Sequence, residues 1–287
     1  MKKKVIEVIS ILLFGFACWL VADIWTSAHC LKVNEYTYIS PKVEEDITLV
    51  VIADLHEQEF GEGNQRLIEE IKAQSPDVIV MLGDMMNRDS QNPQIVYDLI
   101  EDLSDTAPIY FAPGNHEWDY MELTASDAIQ ELEAAGAFVL EDAYVDIEIK
   151  GTKIRMGGFY GYAFYQNSPW EPAWLENRVF LKDFVDTEIL KIMMSHRPDS
   201  FIFSDASARW DIDLVLSGHM HGGQVVLPFL GGVSGGDQGW FPEYVHGMYE
   251  KGIMNIFVTS GLGTNPQMVP RINNRPEVAV IHIEAEE

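Results

Sequence analysis

The sequence predicts an α/β protein with two mixed sheets, preceded by one membrane-spanning helix. Three observations lead to this expectation. Between residues 47 and 135, buried strand patterns alternate with helical patterns, which is typical of parallel strands joined by right-handed crossovers. After residue 144 strand patterns dominate, which indicates a second sheet. Near the start of the chain, a long apolar run follows three lysines.

The first half of the folded part contains three strand patterns, each followed by a helical pattern. Short apolar, β-branched runs predict strands at 47–53, 78–82 and 109–112. Apolar residues at helical spacing predict helices at 64–74, 93–103 and 126–135. Asn64 is expected to cap the first helix, Pro93 lies in the first turn of the second, and Gly136 ends the third.

Strands dominate the second half. Residues 144–150 and 152–156 flank Gly151 and predict a hairpin. Further strands are expected at 189–194, 214–217, 224–227, 253–259 and 278–283. The glycine-rich stretch 231–239 predicts a flexible loop and not a domain boundary. Since no long linker interrupts residues 32–287, we expect one domain there.

The N-terminal segment predicts a membrane anchor. Three lysines precede residues 8–25, which are apolar except for Ser10 and Asp23. A helix of this length spans roughly 27 Å, close to the thickness of the hydrocarbon core. Lysines favour the cytoplasmic side, so we expect a single-pass protein of the cytoplasmic membrane with its folded domain on the extracytoplasmic face. A cleaved signal peptide stays open, although residues 26–28 match a cleavage site only weakly. The expected division is 1–30 for the anchor and 31–287 for the folded domain.

The composition excludes several classes of protein. With 47% hydrophobic and 22% charged residues, the chain is globular and not disordered. The net charge is −26, and beyond residue 30 there are 16 basic residues against 43 acidic ones. This balance excludes nucleic-acid binding through a basic surface. The two cysteines, Cys18 and Cys30, precede the folded part, so no thiolate metal site is expected there.

Residues that carry chemistry recur directly after the predicted strands. In chain order the motifs are Asp54-Leu-His56, Gly83-Asp84, Gly114-Asn115-His116-Glu117, Ser195-His196-Arg197 and Gly218-His219-Met220-His221. Loops beyond the carboxyl ends of strands line one crevice in such sheets, so these side chains are expected to converge. Nitrogen and oxygen donors without sulfur suit Mn, Fe or Zn. One such motif alone is more often a turn, but five together predict a site for two metal ions sharing a carboxylate.

The order of these motifs resembles that of the calcineurin-like metallophosphoesterases, over most of the chain beyond the anchor. Three further segments are similar to a membrane-anchored bacterial branch of that family: residues 63–65, residues 222–224, and residues 260–263 with the pairs at 270–271 and 276–277. The resemblance implies a four-layer α/β/β/α sandwich of two mixed sheets flanked by helices. Asn87 and Glu117 stand where many relatives carry aspartate, and Glu117 is expected to affect the orientation of His116.

The resemblance also implies roles for the motif residues. One of two divalent or trivalent ions would be held by Asp54, His56 and His221, and the other by Asn115, His196 and His219, with Asp84 bridging them. A hydroxide generated between the two ions would attack phosphorus. His116 would be the catalytic residue and would either stabilise the transition state or protonate the leaving oxygen.

These expectations predict a dinuclear-metal phosphohydrolase. Its substrate would be a phosphodiester or a lipid-linked phosphoester, the latter suggested by the anchor, and its other partner would be the membrane. Two alternatives stay open: a metal-binding scaffold of the same fold without turnover, and another class of hydrolase that uses the same metals. A scaffold is expected to have lost ligands, whereas all seven are present here.

Aromatic residues are dense between positions 159 and 174. They are Phe159, Tyr160, Tyr162, Phe164, Tyr165, Trp170 and Trp174. Such a segment could form an acyl pocket for substrate, a platform on the membrane surface, or a loop packed on its own aromatic side chains. The sequence leaves these three interpretations open.

Overall fold

A computed structural model describes residues 2–164, 171–265 and 267–286, without the side chains of 171–175 and 237. The strands in this part of the chain are β1 (Lys32–Ser40), β2 (Ile47–Ile52), β3 (Val78–Met81), β4 (Ile109–Phe111), β5 (Ala137–Val139), β6 (Ala143–Ile149), β7 (Thr152–Gly158), β8 (Leu190–Met194), β9 (Leu214–Ser217), β10 (Val226–Leu227), β11 (Gly231–Gly232), β12 (Ser234–Gly235), β13 (Gly239–Trp240), β14 (Gly247–Lys251), β15 (Met254–Val258) and β16 (Glu277–Ala285). The helices are α1 (Lys2–His29), α2 (Gln65–Ala73), α3 (Gln94–Ser104), α4 (Asn115–Thr124), α5 (Ala128–Ala134), α6 (Glu171–Val185), α7 (Asp199–Ile202) and α8 (Ala206–Arg209).

The strands form two six-stranded mixed sheets. The first has the order β1-β16-β2-β3-β4-β5, and the second has the order β14-β15-β9-β8-β7-β6. In the first sheet β2, β3, β4 and β5 are parallel, as the alternation of strands and helices predicts. In the second sheet β7, β8, β9 and β15 are parallel, and β6 and β14 are antiparallel to their neighbours. The predicted second sheet and the hairpin at Gly151 are confirmed.

Three buried apolar clusters separate four layers. One lies between the sheets and includes Leu49, Val51 and Leu214. A second packs the outer face of the first sheet against α2, α3, α4 and α5. A third packs the outer face of the second sheet against α6, α7 and α8. The expected α/β/β/α sandwich is therefore confirmed.

Several elements differ from the sequence-based expectation. β1, α4, β5, β14 and the helices α6 to α8 were not predicted, and residues 231–239 contain short hairpin strands where a loop was expected. In the aromatic segment, Phe159 and Phe164 are buried in the cluster beside the second sheet. Tyr165 and Trp170 lie outside the described residues, as does the side chain of Trp174.

Among the described residues, α1 is the one helix long and apolar enough to cross a membrane. Most of it is exposed, and contact with the sandwich is concentrated near its C-terminal end. The backbone N–H of Asn273 donates to Asp23 Oδ2 at 2.6 Å, and that of Asn274 donates to the buried Ser27 Oγ at 3.3 Å. Arg275 Nε donates to the carbonyl of Cys30, one residue beyond the helix. The end of the helix is thus fixed to the loop before β16.

Candidate metal centre

All eight predicted site residues follow the carboxyl ends of β2, β3, β4, β8 and β9. Five of them lie in the left-handed backbone region: Asp54, His56, Asp84, His219 and His221, with φ between 46° and 68°. Residues other than glycine adopt this region rarely, and strain of this kind concentrates at functional sites. The loops therefore hold these side chains in conformations that an unconstrained chain would avoid.

The first group of potential ligands contains Asp54, His56 and His221. One donor atom from each lies within 4.8 Å of the others, and all three residues are buried. The Nε2 atom of His221 is 3.8 Å from Asp54 Oδ1 and 3.4 Å from His56 Nε2. A carboxylate and two imidazoles facing one small volume are a ligand set for a transition-metal ion.

The second group contains Asp84, His196 and His219, also with donor atoms within 4.8 Å. The Nε2 atom of His196 is 3.1 Å from Asp84 Oδ2 and 3.2 Å from His219 Nδ1. The other ring nitrogen of His196 lies 2.6 Å from the carbonyl oxygen of Leu82, to which it donates in the neutral tautomer with Nδ1–H. That hydrogen bond leaves the lone pair of Nε2 facing Asp84, an orientation typical of a metal-binding histidine.

Asp84 connects the two groups. A further set of donor atoms within 4.8 Å consists of His56, Asp84 and His116, so Asp84 lies close to both proposed ion positions. Its Oδ1 atom accepts the backbone N–H of His116 at 2.8 Å, which fixes the carboxylate.

An independent observation indicates that these residues suit metal ions. Among the described residues, Asn115 Oδ1 is buried without a hydrogen-bond partner. A buried acceptor without a partner costs free energy, and a cation offsets that cost. The donor set of carboxylate, amide and imidazole without sulfur suits Mn, Fe or Zn. Which atoms ligate which ion stays a prediction.

Burial and mutual charge alter the acid–base behaviour of the cluster. Burial, reinforced by the charge of Asp84, raises the pKa of Asp54 to about 7, and burial lowers the pKa of His56 to about 4. For His196 burial acts in the opposite direction, but the charge and hydrogen bond of Asp84 outweigh it and raise the pKa to about 9. The same pairing overcomes burial at Asp84 and lowers its pKa. A proton and a metal ion therefore compete for the lone pair of His196.

The ring of His116 is fixed by the backbone. The N–H of Arg88 donates to Nδ1 at 2.9 Å, so in the neutral ring the proton is on Nε2. That nitrogen is 4.0 Å from Asp84 Oδ2. It is also 3.0 Å from Nδ2 of Asn265, whose Oδ1 accepts the N–H of Gln267, so the Asn265 side chain has to turn before Nε2–H is free to donate. A proton on Nδ1 would face the N–H of Arg88. The ring is thus arranged to offer an Nε2–H group to the site.

Glu117 has a role that sequence analysis missed. Its buried carboxylate accepts the N–H groups of Asp84 at 2.8 Å, Met85 at 2.9 Å and Gly114 at 2.7 Å. It thereby joins the loops after β3 and β4, whereas the sequence suggested an effect on His116. The loops also touch at Gly83, where a Cβ atom would lie only 2.1 Å from the nitrogen of Gly114. The position of Glu117, three residues after Gly114 at the start of α4, was the available signal, since a glutamate there can accept the N–H of the residue that caps the helix.

Residues from the loop before β16 complete the surroundings. Arg271 is buried, donates to the carbonyls of Ser260 and Gly263, and lies 3.4 Å from His221 Nδ1. Asn274 Nδ2 donates to the carbonyl of His221 at 2.7 Å. The sequence contained a family-like pair at 270–271, but nothing in it indicated that Asn265 or Asn274 reach the site.

Comparison with known proteins gives a consistent set of relatives. The calcineurin-like phosphoesterase family matches residues 47–223. An uncharacterized metallophosphoesterase of Campylobacter jejuni is 28% identical, over 78% of this chain and 55% of that protein. The metallophosphoesterase YkuE of Bacillus subtilis is 27% identical, over 95% of this chain and 90% of that protein. Phosphodiesterase YaeI of Escherichia coli is 27% identical, over 82% of this chain and 81% of that protein. The chain spans little more than half the length of the Campylobacter relative.

Proposed function

The chain belongs to the calcineurin-like phosphoesterase family, and on that premise we propose that it hydrolyses a phosphodiester or a lipid-linked phosphoester with two metal ions at the cluster around Asp84. The observation that carries the proposal is a pair of ligand groups, Asp54 with His56 and His221 and Asp84 with His196 and His219. A further set that contains both His56 and Asp84 connects the two groups.

The seven residues have distinct tasks in this proposal. Asp54, His56 and His221 would hold one ion, and His196, His219 and Asn115 the other, with Asp84 shared. When bound, two such ions supply Lewis-acid chemistry: they activate water and neutralise charge on the phosphoryl oxygens. Leu82 and Glu117 act through the ligands, since Leu82 orients the ring of His196 and Glu117 holds the loop of Asp84.

His116 contributes a hydrogen bond from Nε2–H to a phosphoryl oxygen. The N–H of Arg88 occupies Nδ1, so Nε2 is the ring nitrogen left to donate toward the substrate. A donor fixed in this way stabilises negative charge that develops on a phosphoryl oxygen. Of the two roles that the sequence left open, electrostatic stabilisation of the transition state is the one that this geometry supports.

The position of the enzyme in the cell is part of the proposal. Residues 1–30 would anchor it in the cytoplasmic membrane, and residues 31–287 would form the catalytic domain on the extracytoplasmic face. Three lysines in the first turn of α1 support this orientation. The length and apolar character of α1 support the span, and phosphodiesterase YaeI supports the reaction class.

A substrate panel tests the proposal. The full chain, purified in detergent, is assayed with a phosphomonoester, a phosphodiester and a carboxyl ester, each with Mn²⁺, Zn²⁺ or a chelator. Metal-dependent hydrolysis of a phosphoester, and not of the carboxyl ester, is the expected result. The variant Asp84→Asn should be inactive, and Asp205→Asn, at an exposed position outside the site, should be fully active. Turnover that resists the chelator, or preference for the carboxyl ester, would contradict the proposal.

A further inference from the structure

Exposed apolar side chains are concentrated beside the candidate metal centre. Outside α1, the described part of the chain exposes twelve large apolar side chains. Half of them, which we call the apolar rim, are Leu227, Phe229, Leu230, Trp240, Phe241 and Val269. Phe229 is fully exposed, and Trp240 is 77% exposed. An exposed apolar group of this size marks an interaction surface.

Hydrogen bonds join the parts of the rim into one structure. β10 pairs with β11 and β12 pairs with β13, and the N–H of Phe241 donates to the carbonyl of Val233 at 2.9 Å. The side chain of Gln224 donates to the carbonyl of Val269, which attaches the remaining member. The rim is thus built on short hairpins rather than on independent loops.

Asn273 links the rim to the C-terminal part of α1. Asn273 Nδ2 donates to the carbonyl of Val226 in β10 at 3.2 Å, while its backbone N–H donates to Asp23. Asp23 lies near the end of the apolar run of α1, beside the exposed Trp25. Tryptophan is enriched at the level of the lipid headgroups, so this end of the helix marks that level. Asn273 therefore holds the start of the rim at the height where α1 leaves the bilayer.

Charge distinguishes the rim from the remainder of the domain. Residues 225–241 contain one acidic residue, Asp237, and no basic one, whereas residues 31–287 contain 43 acidic residues. An acidic surface is repelled by anionic lipids. The rim is the segment beside the anchor that can approach a bilayer without that repulsion.

The same hairpins border the metal centre. A Cβ atom on Gly236, between β12 and β13, would lie 2.8 Å from Cδ2 of His219. A Cβ atom on Gly223 would lie 2.3 Å from Cα of Gly232 in β11, and Gly223 follows His221 by two residues. The hairpins that carry the rim therefore contact the loop of His219 and His221 and are also linked to the anchor through Asn273.

We propose that the apolar rim inserts into the headgroup region of the bilayer that α1 crosses, so that the metal centre acts on phosphoesters whose apolar part stays in that bilayer. This inference rests on the proposed anchor and on the proposed reaction, and it narrows the substrate to a membrane lipid phosphoester. The rim would thus contact a lipid surface. The test must distinguish this contact from contact with a second copy of the chain.

Fluorescence quenching in nanodiscs tests the insertion without requiring activity or metal. A Cys18→Ser, Cys30→Ser background receives a cysteine at Phe229, labelled with an environment-sensitive dye. The matched control is Ile253→Cys, since Ile253 is 59% exposed and precedes β15. It lies at the amino ends of the parallel strands β15 and β9, whereas the ligands follow the carboxyl ends. The discs contain phosphatidylcholine and phosphatidylglycerol, with phosphatidylcholine spin-labelled near the glycerol end of its acyl chain.

The expected result is a blue-shifted dye at 229 that the spin label quenches, and a dye at 253 that shows neither effect. Equal behaviour at the two positions would overturn the proposal. A blue shift at 229 without quenching would also overturn it, because that signal reports contact with protein, such as a second copy.

A substitution experiment tests the narrowed substrate. Phe229→Asp, checked for an unchanged thermal melting profile, should lower hydrolysis of phosphatidic acid or phosphatidylglycerol in the discs by roughly tenfold, the scale expected when one large apolar side chain loses its contact with lipid. The same variant should cleave a soluble nitrophenyl phosphodiester like the parent, and Ile253→Asp should leave both activities intact. Equal loss on both substrates would contradict the proposal. A parent chain without any phosphoesterase activity would instead refute the proposed function, and quenching would still decide on the rim.

Discussion

The fixed ring of His116 leads to a prediction that separates two roles of this residue. If Nε2–H only donates a hydrogen bond to the phosphoryl group, His116→Ala removes one oriented donor. Loss of such a donor typically costs about 10²–10³-fold in kcat, or ~2.7–4 kcal/mol. The loss should not depend on the leaving group, because the phosphoryl oxygens are the same in every ester.

General acid catalysis predicts a different pattern. A nitrophenyl ester leaves as a stable phenolate and needs little protonation, whereas an alkyl ester leaves as an alkoxide and needs it most. Removal of a general acid would then cost about 10²–10⁴-fold on the alkyl ester and much less on the aryl ester. The two roles therefore differ in the ratio of the losses and not only in their size.

The assay compares His116→Ala with the parent on a nitrophenyl and an alkyl ester of the same phosphate. Metal content is measured on each preparation, and it should be unchanged because His116 is not among the predicted ligands. Similar losses on both esters are the expected result. A loss on the alkyl ester at least about tenfold larger would refute the reasoning from the Arg88 hydrogen bond. Loss of the metals would show that His116 is a ligand or a structural support.

Three further predictions follow from other parts of the molecule. Asp84→Asn should abolish turnover and weaken binding of both ions, since one carboxylate serves two; elemental analysis showing two retained ions together with full activity would contradict the bridging role. The hydrogen bond and charge of His246, with hydrogen bonds from Asn34 and Ser260, overcome the effect of burial and lower the pKa of Glu277 to about 2. This stabilisation is present above the unfolded pKa of Glu277 and is lost as pH falls from about 5 toward 2; at 1.36 kcal/mol per pH unit the loss amounts to about 3 kcal/mol. Chemical denaturation should show that the free energy of unfolding depends more steeply on pH in the parent than in Glu277→Gln. Equal slopes would contradict this prediction. The protein should stay in the membrane fraction after a high-salt wash, and protease added to intact protoplasts should digest the catalytic domain; protection would reverse the topology.

The parts of the fold that could be predicted are those where local pattern and long-range packing agree. Buried strands such as β2 and β3 are continuous apolar runs, and their carboxyl ends bring Asp54 and Asp84 to one edge of the sheet. β1 was missed because it is an edge strand whose residues alternate between exposed and half-buried. α4 was missed because it begins within the motif at Asn115, so its first turn consists of residues interpreted as ligands.

The candidate site also contains residues that the sequence indicated and residues that it did not. Its predicted side chains come from short motifs that follow strands, so spacing along the chain was enough to find them. Asn265, Arg271 and Asn274 come from one loop with no periodic pattern, and they reach the site only because the chain folds back over it. Contacts of this kind depend on tertiary structure alone. The apolar rim was missed for a related reason. The glycine-rich sequence suggested a flexible loop, whereas backbone pairing of β10 with β11 and of β12 with β13 fixes its conformation.

The position of β16 between β1 and β2 has a consequence for the maturation of the protein. β1, the strand that follows the anchor, pairs with β16 alone, and the bonded residues Asn34 and Glu277 are 243 positions apart. β1 can therefore enter a sheet only after β16 has been synthesised. Pairing over such a separation is slow, and it leaves the edge of β2 open to aggregation and to proteases in the meantime. Strand β16, almost the last part of the chain to be made, is thus the element that closes the first sheet.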